Sequence, residues 1–161
     1  MMSLSTRVYN LLQHTWSYQR VITQYNSIPT QTIHSNGTAV WSKRDGDELL
    51  YREDGLISSS NCDQPITTYQ QYIYQIQQNT INIYFFNNDK QNSNNALFHS
   101  LQLSSTNDSI ITGESHHKCI QDDYNGTYTF DTRDHTIYIR YNVKGPNKDY
   151  ISDTTFNLRT T

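Results

Sequence analysis

The hydrophobic pattern is helical for one short stretch and strand-like thereafter. Val8, Tyr9, Leu11 and Leu12 recur at roughly helical spacing behind Ser5 or Thr6, either of which can cap a first turn, so a helix is expected over about 5–13. The period then changes to two. Trp16, Tyr18, Arg20 and Ile22 fall on one face of a first strand. Asn36-Gly37 reads as a turn opening the run 38–42, Asp45-Gly46-Asp47 as a hairpin turn before 48–53, and Asp54-Gly55 as another turn. Segments 67–76 and 80–86 are rich in Tyr, Ile and Thr. The polar stretch 87–95 reads as a flexible hairpin tip without function. Five more strands are expected over 96–103, 109–118, 124–131, 136–143 and 150–158, divided by turn clusters such as Asn125-Gly126 and Gly145-Pro146-Asn147. About ten strands after one short helix describe an all-β barrel or sandwich. Long helices are missing, which argues against a βαβ sheet, and no fixed-period repeat is present.

Composition narrows the function classes. A chain of 161 residues is expected to form a single domain spanning 1–161. Its 12 Lys and Arg against 15 Asp and Glu leave a net charge of −3, which offers no basic footprint for nucleic acid or an anionic membrane. Thr, Asn, Ser and Gln supply 64 residues, so the surface is polar but weakly charged. Two cysteines, Cys62 and Cys119, allow at most one bridge, which fits a reducing, cytoplasmic setting. The first 16 residues lack the apolar core of a secretory signal, and no run approaches the roughly 18 apolar residues of a membrane-spanning helix. Phosphate-binding glycine loops, H-E-x-x-H and G-x-S-x-G are absent, so nucleotide hydrolysis is not supported.

Spaced motifs occur in one order along most of the chain: W-x-x-x-R (Trp16, Arg20), G-x-A-x-W (Gly37, Ala39, Trp41), Y-x-E-x-G (Tyr51, Glu53, Gly55), F-H (Phe98, His99), H-x-C-x-x-D-x-Y (His117, Cys119, Asp122, Tyr124) and G-P-x-K-D-Y (Gly145, Pro146, Lys148, Asp149, Tyr150). Together they resemble a lipocalin-like, calycin-type family of uncharacterised proteins, the domain of unknown function 6314. The resemblance implies a single antiparallel up-and-down β-barrel over about 15–159 and implies no established activity. Three departures stand out: His14 where calycins usually have Gly, an Asn-rich loop in place of an Asp-Gly-Arg hairpin before Phe98, and Asn147 where a basic residue is common. If relatives bind an anion through those arginines, this chain is expected to bind it less well.

In a closed barrel alternate side chains point inward, which turns Arg20 into the interior and makes Glu53 its natural partner. Such a pair either fixes register or reads a ligand. Arg159 is expected to pack over Trp16, as a late-strand Arg does in calycins. Tyr72, Tyr74 and Tyr141 offer rings with polar tips, suited to a planar or amphipathic ligand or simply to filling the core. His99, His117 and Cys119 are legitimate transition-metal ligands, and the imidazoles haem ligands, but their spacing matches no metal motif, and neither a metal nor any cofactor is assigned. Cys119 beside His117 or His99, with Asp122 orienting the imidazole, is the alternative arrangement for nucleophilic chemistry. Lys148, Asp149 and Tyr150 are expected at a barrel rim, as a gate or an ordinary salt bridge.

The expectation is therefore a barrel that holds an aromatic or amphipathic small molecule through Arg20, Glu53, Tyr72, Tyr74, His99, His117 and Tyr141. Two other readings stay open. One is an isomerase, cyclase or lyase with His99 or His117 as general acid or base and Arg20 stabilising negative charge. The other is a filled barrel acting through its surface.

Overall fold

A computed structural model describes residues 2–59, 62–86 and 95–159. Helix α1 (Leu4–Leu12) leads into strands β1 (Thr15–Gln24), β2 (Gln31–Lys43), β3 (Glu48–Ser59), β4 (Cys62–Gln77), β5 (Thr80–Phe85), β6 (Leu97–Ser105), β7 (Ile110–Cys119), β8 (Asp122–Asp131), β9 (Thr136–Lys144) and β10 (Asp149–Leu158). Each strand pairs antiparallel with its neighbours in sequence, and β1 pairs with β10 from Trp16↔Leu158 to Gln24↔Tyr150, closing the barrel. Every strand thus has a hydrogen-bonded neighbour on both sides, although β6 and β7 pair only from Gln102↔Glu114 to Ser105↔Ile111. This is the expected all-β, up-and-down barrel with a short N-terminal helix.

The helix is capped by Ser3, whose hydroxyl accepts from the Thr6 N–H, rather than by Ser5 or Thr6. Ser5 is buried, with its hydroxyl 3.1 Å from that of Ser3. Val8, Leu11 and Leu12 pack against Trp16 and the rest of the core, and the Trp16 indole N–H donates to the Leu12 carbonyl at 3.3 Å. The helix thereby seals the barrel end where β1 begins. Trp16 meets Trp41 and His14 edge-on at 6.4 and 6.2 Å. Arg159, expected over Trp16, is exposed, and its backbone N–H donates to the Thr15 carbonyl. At nine residues, α1 is neither long nor apolar enough to cross a membrane, and no other helix among the described residues is either.

Three of the expected turns lie inside strands. Asn36-Gly37 is in β2, Asp54-Gly55 in β3 and Asn125-Gly126 in β8. Gly37 and Gly55 are register partners. A Cβ on Gly37 would come within 2.0 Å of the Asp54 carbonyl oxygen, and one on Gly55 within 2.2 Å of the Tyr18 hydroxyl. These glycines serve close approach of strands in a curved wall rather than a reversal of the chain. Strands β2 and β4 accordingly extend well beyond the expected 38–42 and 67–76. The turns at Asp45-Gly46-Asp47 and Gly145-Pro146-Asn147 do fall between strands. The Asn-rich stretch lies, apart from Asn95, outside the described residues.

Candidate functional site

The end sealed by α1 is filled by apolar side chains, whereas the opposite half encloses a cavity of about 470 Å³. Its walls carry Arg20 and Glu53, the rings of Tyr51, Tyr72, Tyr74, Phe85, Phe98, Tyr124, Tyr128, Tyr141 and Tyr150, aliphatic side chains, and a few neutral polar groups.

Arg20 (β1) and Glu53 (β3) form the polar centre. Between them runs β2, whose inward positions hold Ser35, Gly37 and Ala39, all small enough for the arginine to reach across. Its two terminal nitrogens donate to Glu53 Oε2 and Oε1 at 2.8 and 2.9 Å, and Nε donates to Thr154 Oγ1 at 2.7 Å. Tyr51 Oη donates to Glu53 Oε1 at 2.6 Å, and the guanidinium lies 5.1 Å from the centre of the Tyr18 ring. Burial opposes the charge on Arg20, but hydrogen bonding and attraction from Glu53 outweigh it and raise the arginine pKa. Burial and then the Glu53 charge push the Tyr51 phenol well above its ordinary value.

A second polar chain runs behind the opposite wall. His99 Nε2 lies 2.6 Å from the Tyr141 hydroxyl, which in turn hydrogen-bonds Tyr128. His99 is only 3% exposed and does not line the cavity; its Nδ1 has no partner among the described residues. Burial, followed by the influence of His117, pulls its pKa down to about 4, so the ring is neutral near pH 7. Burial keeps the phenols of Tyr74, Tyr128 and Tyr141 protonated far above neutrality. Space for Tyr141 comes from its register partner Gly126, where a Cβ would sit 2.8 Å from the ring.

The β5–β6 register slips between Ile83↔His99 and Tyr84↔Leu97, leaving Phe98 as the extra residue of a bulge. The bulge brings Phe98 into the cavity wall while His99 stays buried behind it. Phe98 stacks with Tyr72, Tyr141 and Phe85 at 5.9, 6.1 and 4.8 Å, and His117 meets it edge-on at 5.8 Å.

Of the candidate residues, Arg20, Glu53, Tyr72, Tyr74, His117 and Tyr141 face the cavity, while His99 stands behind its wall against Tyr141, Phe98 and Tyr128. Cys119 also faces the cavity near its open end; it and Cys62 are exposed free thiols. Asp122 does not orient an imidazole, because Lys148 Nζ holds it at 3.1 Å and also donates to Tyr124 Oη at 2.7 Å. Lys148 is thus paired across the rim, not with Asp149, whose carbonyl accepts from the Tyr25 N–H. Tyr150 lies inside the wall. Among the described residues no group of three or more His, Cys, Asp or Glu side chains is placed to hold a metal. Residue-type reasoning passed over Phe98, Tyr128, Ser152 and Thr154 as wall residues. Simple alternation along 124–130 and 152–156 identifies all but Phe98, which depends on the bulge.

The fold and site define a closed ten-stranded barrel with one sealed end and an aromatic-walled internal cavity. The chain belongs to the family of unknown function DUF6314, whose family model matches residues 12–158. No curated protein matches it. Among solved structures it is similar to the crystal structure of Rv2717c from M. tuberculosis, at 12% identity and a TM-score of 0.58 over 99% of this chain and 100% of that one, a likeness of fold alone. A weaker likeness, with 17% identity and a TM-score of 0.39 over 98% of this chain and 100% of the other, is to the structure of EF1p2_mFAP2b bound to DFHBI.

Proposed function

We propose that this protein is a small-molecule carrier or sensor that holds an aromatic or amphipathic ligand inside the barrel. The observation that carries the reading is the cavity of about 470 Å³, walled by aromatic rings around one ion pair. That size and mixture, apolar walls with a few fixed polar groups, are those of ligand pockets generally. On this reading the lipocalin-like resemblance extends from architecture to use, and the chain acts as one binding domain. The exposed free thiols of Cys62 and Cys119 support a reducing compartment, and we place the protein in the cytoplasm. Native mass spectrometry of protein purified from its own host, followed by analysis of what denaturation releases, tests the proposal. A stoichiometric organic adduct is expected. Apo protein that also takes up no aromatic compound from a panel overturns it.

One observation favours an enzyme as the second reading: the Tyr128–Tyr141–His99 chain links the cavity wall to a buried imidazole. Phenols held protonated can donate to a developing oxyanion, with His99 positioning Tyr141 rather than acting on substrate directly. Under this reading Tyr141→Phe abolishes turnover of a bound substrate while leaving its binding intact.

A further inference from the structure

The charges of the cavity cancel locally. Among the described residues, Arg20 and Glu53 are the only Arg, Lys, Asp or Glu side chains that line it. Both terminal nitrogens of Arg20 are taken by the two oxygens of Glu53. Lys148, which donates to the lining Tyr124, is paired with Asp122 through a single, partly exposed contact of 3.1 Å. An entering carboxylate would shed its water and find no unpaired cation, and an ammonium would find Glu53 already neutralised.

Hydrogen-bond donors, by contrast, are left over. Arg20 has five N–H groups, of which three are engaged. Tyr72 and Tyr150 also line the cavity, and no hydrogen bond engages either hydroxyl among the described residues. Burial keeps both protonated, with Glu53 adding to the effect on Tyr72 and Tyr124 on Tyr150. The wall therefore presents O–H and N–H donors beside aromatic faces with no net charge to go with them.

We infer that the cavity selects an uncharged aromatic molecule bearing hydrogen-bond acceptors, such as an aryl ketone or ester, and discriminates against the corresponding carboxylate. This rests on the binding function proposed above and names its ligand class. The donors of Arg20, Tyr72 and Tyr150 read the carbonyl, while Tyr141 and Phe98 cover the rings.

Titration of the protein at pH 8 with three compounds of matched shape tests the inference: 2-acetonaphthone, 2-naphthoate and 2-ethylnaphthalene. The ketone is expected to bind at least tenfold more tightly than either of the others. Naphthoate binding as tightly as the ketone overturns the inference while leaving the binding function standing, and so does equal affinity for the ketone and the hydrocarbon. Failure of all three to bind overturns the binding function, and this inference with it. Glu53→Gln frees the Arg20 charge and is expected to shift the preference toward naphthoate at least tenfold. Where loss of the buried pair prevents folding, Asp122→Asn frees Lys148 at the mouth and shifts it the same way at least threefold. An unchanged preference in the folded variant overturns the inference.

Discussion

Arg20 and Glu53 meet across an intervening strand, joined by two hydrogen bonds of 2.8 and 2.9 Å that pass over the small side chains of β2. The carboxylate is 2% exposed and the arginine 15%, so removing one partner strands the other in a medium that solvates it poorly. Arg20→Met is expected to lower unfolding free energy by about 3–5 kcal/mol, and the double variant Arg20→Met/Glu53→Leu to recover most of that loss. Urea denaturation of the single and double variants reads both values. A single variant as stable as the wild type would show that the pair is solvated.

Burial of His99 makes stability depend on pH. Its folded-state pKa of about 4 lies below the ordinary histidine value of about 6.5, so the unfolded chain binds the proton more readily. The contribution is complete above about pH 6.5 and is lost as pH falls from there to about 4, amounting to about 3 kcal/mol. His99→Gln, which keeps a polar partner for Tyr141, is expected to flatten that part of the stability profile. An identical slope in the variant would assign it to other groups.

The phenols give an independent reading of the interior. Tyr51, Tyr74, Tyr128 and Tyr141 are all raised well above their ordinary value by burial. Absorbance titration at 295 nm is expected to show these four of the 13 tyrosines ionising last, and only as the protein unfolds. Smooth ionisation of all of them in the folded state would mean that water reaches the core.

Glycine positions separate wall from turn. Gly37→Ala places a methyl group 2.0 Å from the Asp54 carbonyl oxygen and is expected to cost about 3 kcal/mol or more. Gly46, at φ +67° in an open turn with nothing within 4 Å, is expected to cost only about 1 kcal/mol on replacement by Ala. Thermal denaturation of the two variants measures the contrast, and equal losses would contradict the assigned roles.

Much of this architecture is legible from alternation alone. The inward set Trp16, Tyr18 and Arg20 and the partner face Leu49, Tyr51 and Glu53 follow from period two, and with them the ion pair. What alternation misses depends on tertiary geometry. Asn36-Gly37 and Asp54-Gly55 carry the local signature of a turn, yet the two glycines face each other within adjacent strands, where curvature demands the absence of a side chain. Phe98 and His99 are consecutive, so one is expected to face out; the bulge instead puts Phe98 on the cavity and leaves His99 buried. Asp122 stands near His117 in sequence, but the hairpin returning through Lys148 claims it first.

Cys119 provides a reporter at the cavity, since its exposed thiol lines the wall near the mouth. In a Cys62→Ser background, a bound ligand is expected to slow labelling of Cys119 by a thiol reagent in proportion to occupancy. A rate unaffected by saturating ligand would place that ligand elsewhere.

Amide chemical shifts during titration with 2-acetonaphthone show where in the barrel a small molecule is held. Perturbations are expected to concentrate at Tyr72, Phe98, Tyr141 and Ser152, whose side chains face one cavity from four different strands. Perturbations confined to outward-facing residues such as Tyr69 and Tyr138, or none at saturating ligand, would contradict binding inside the barrel.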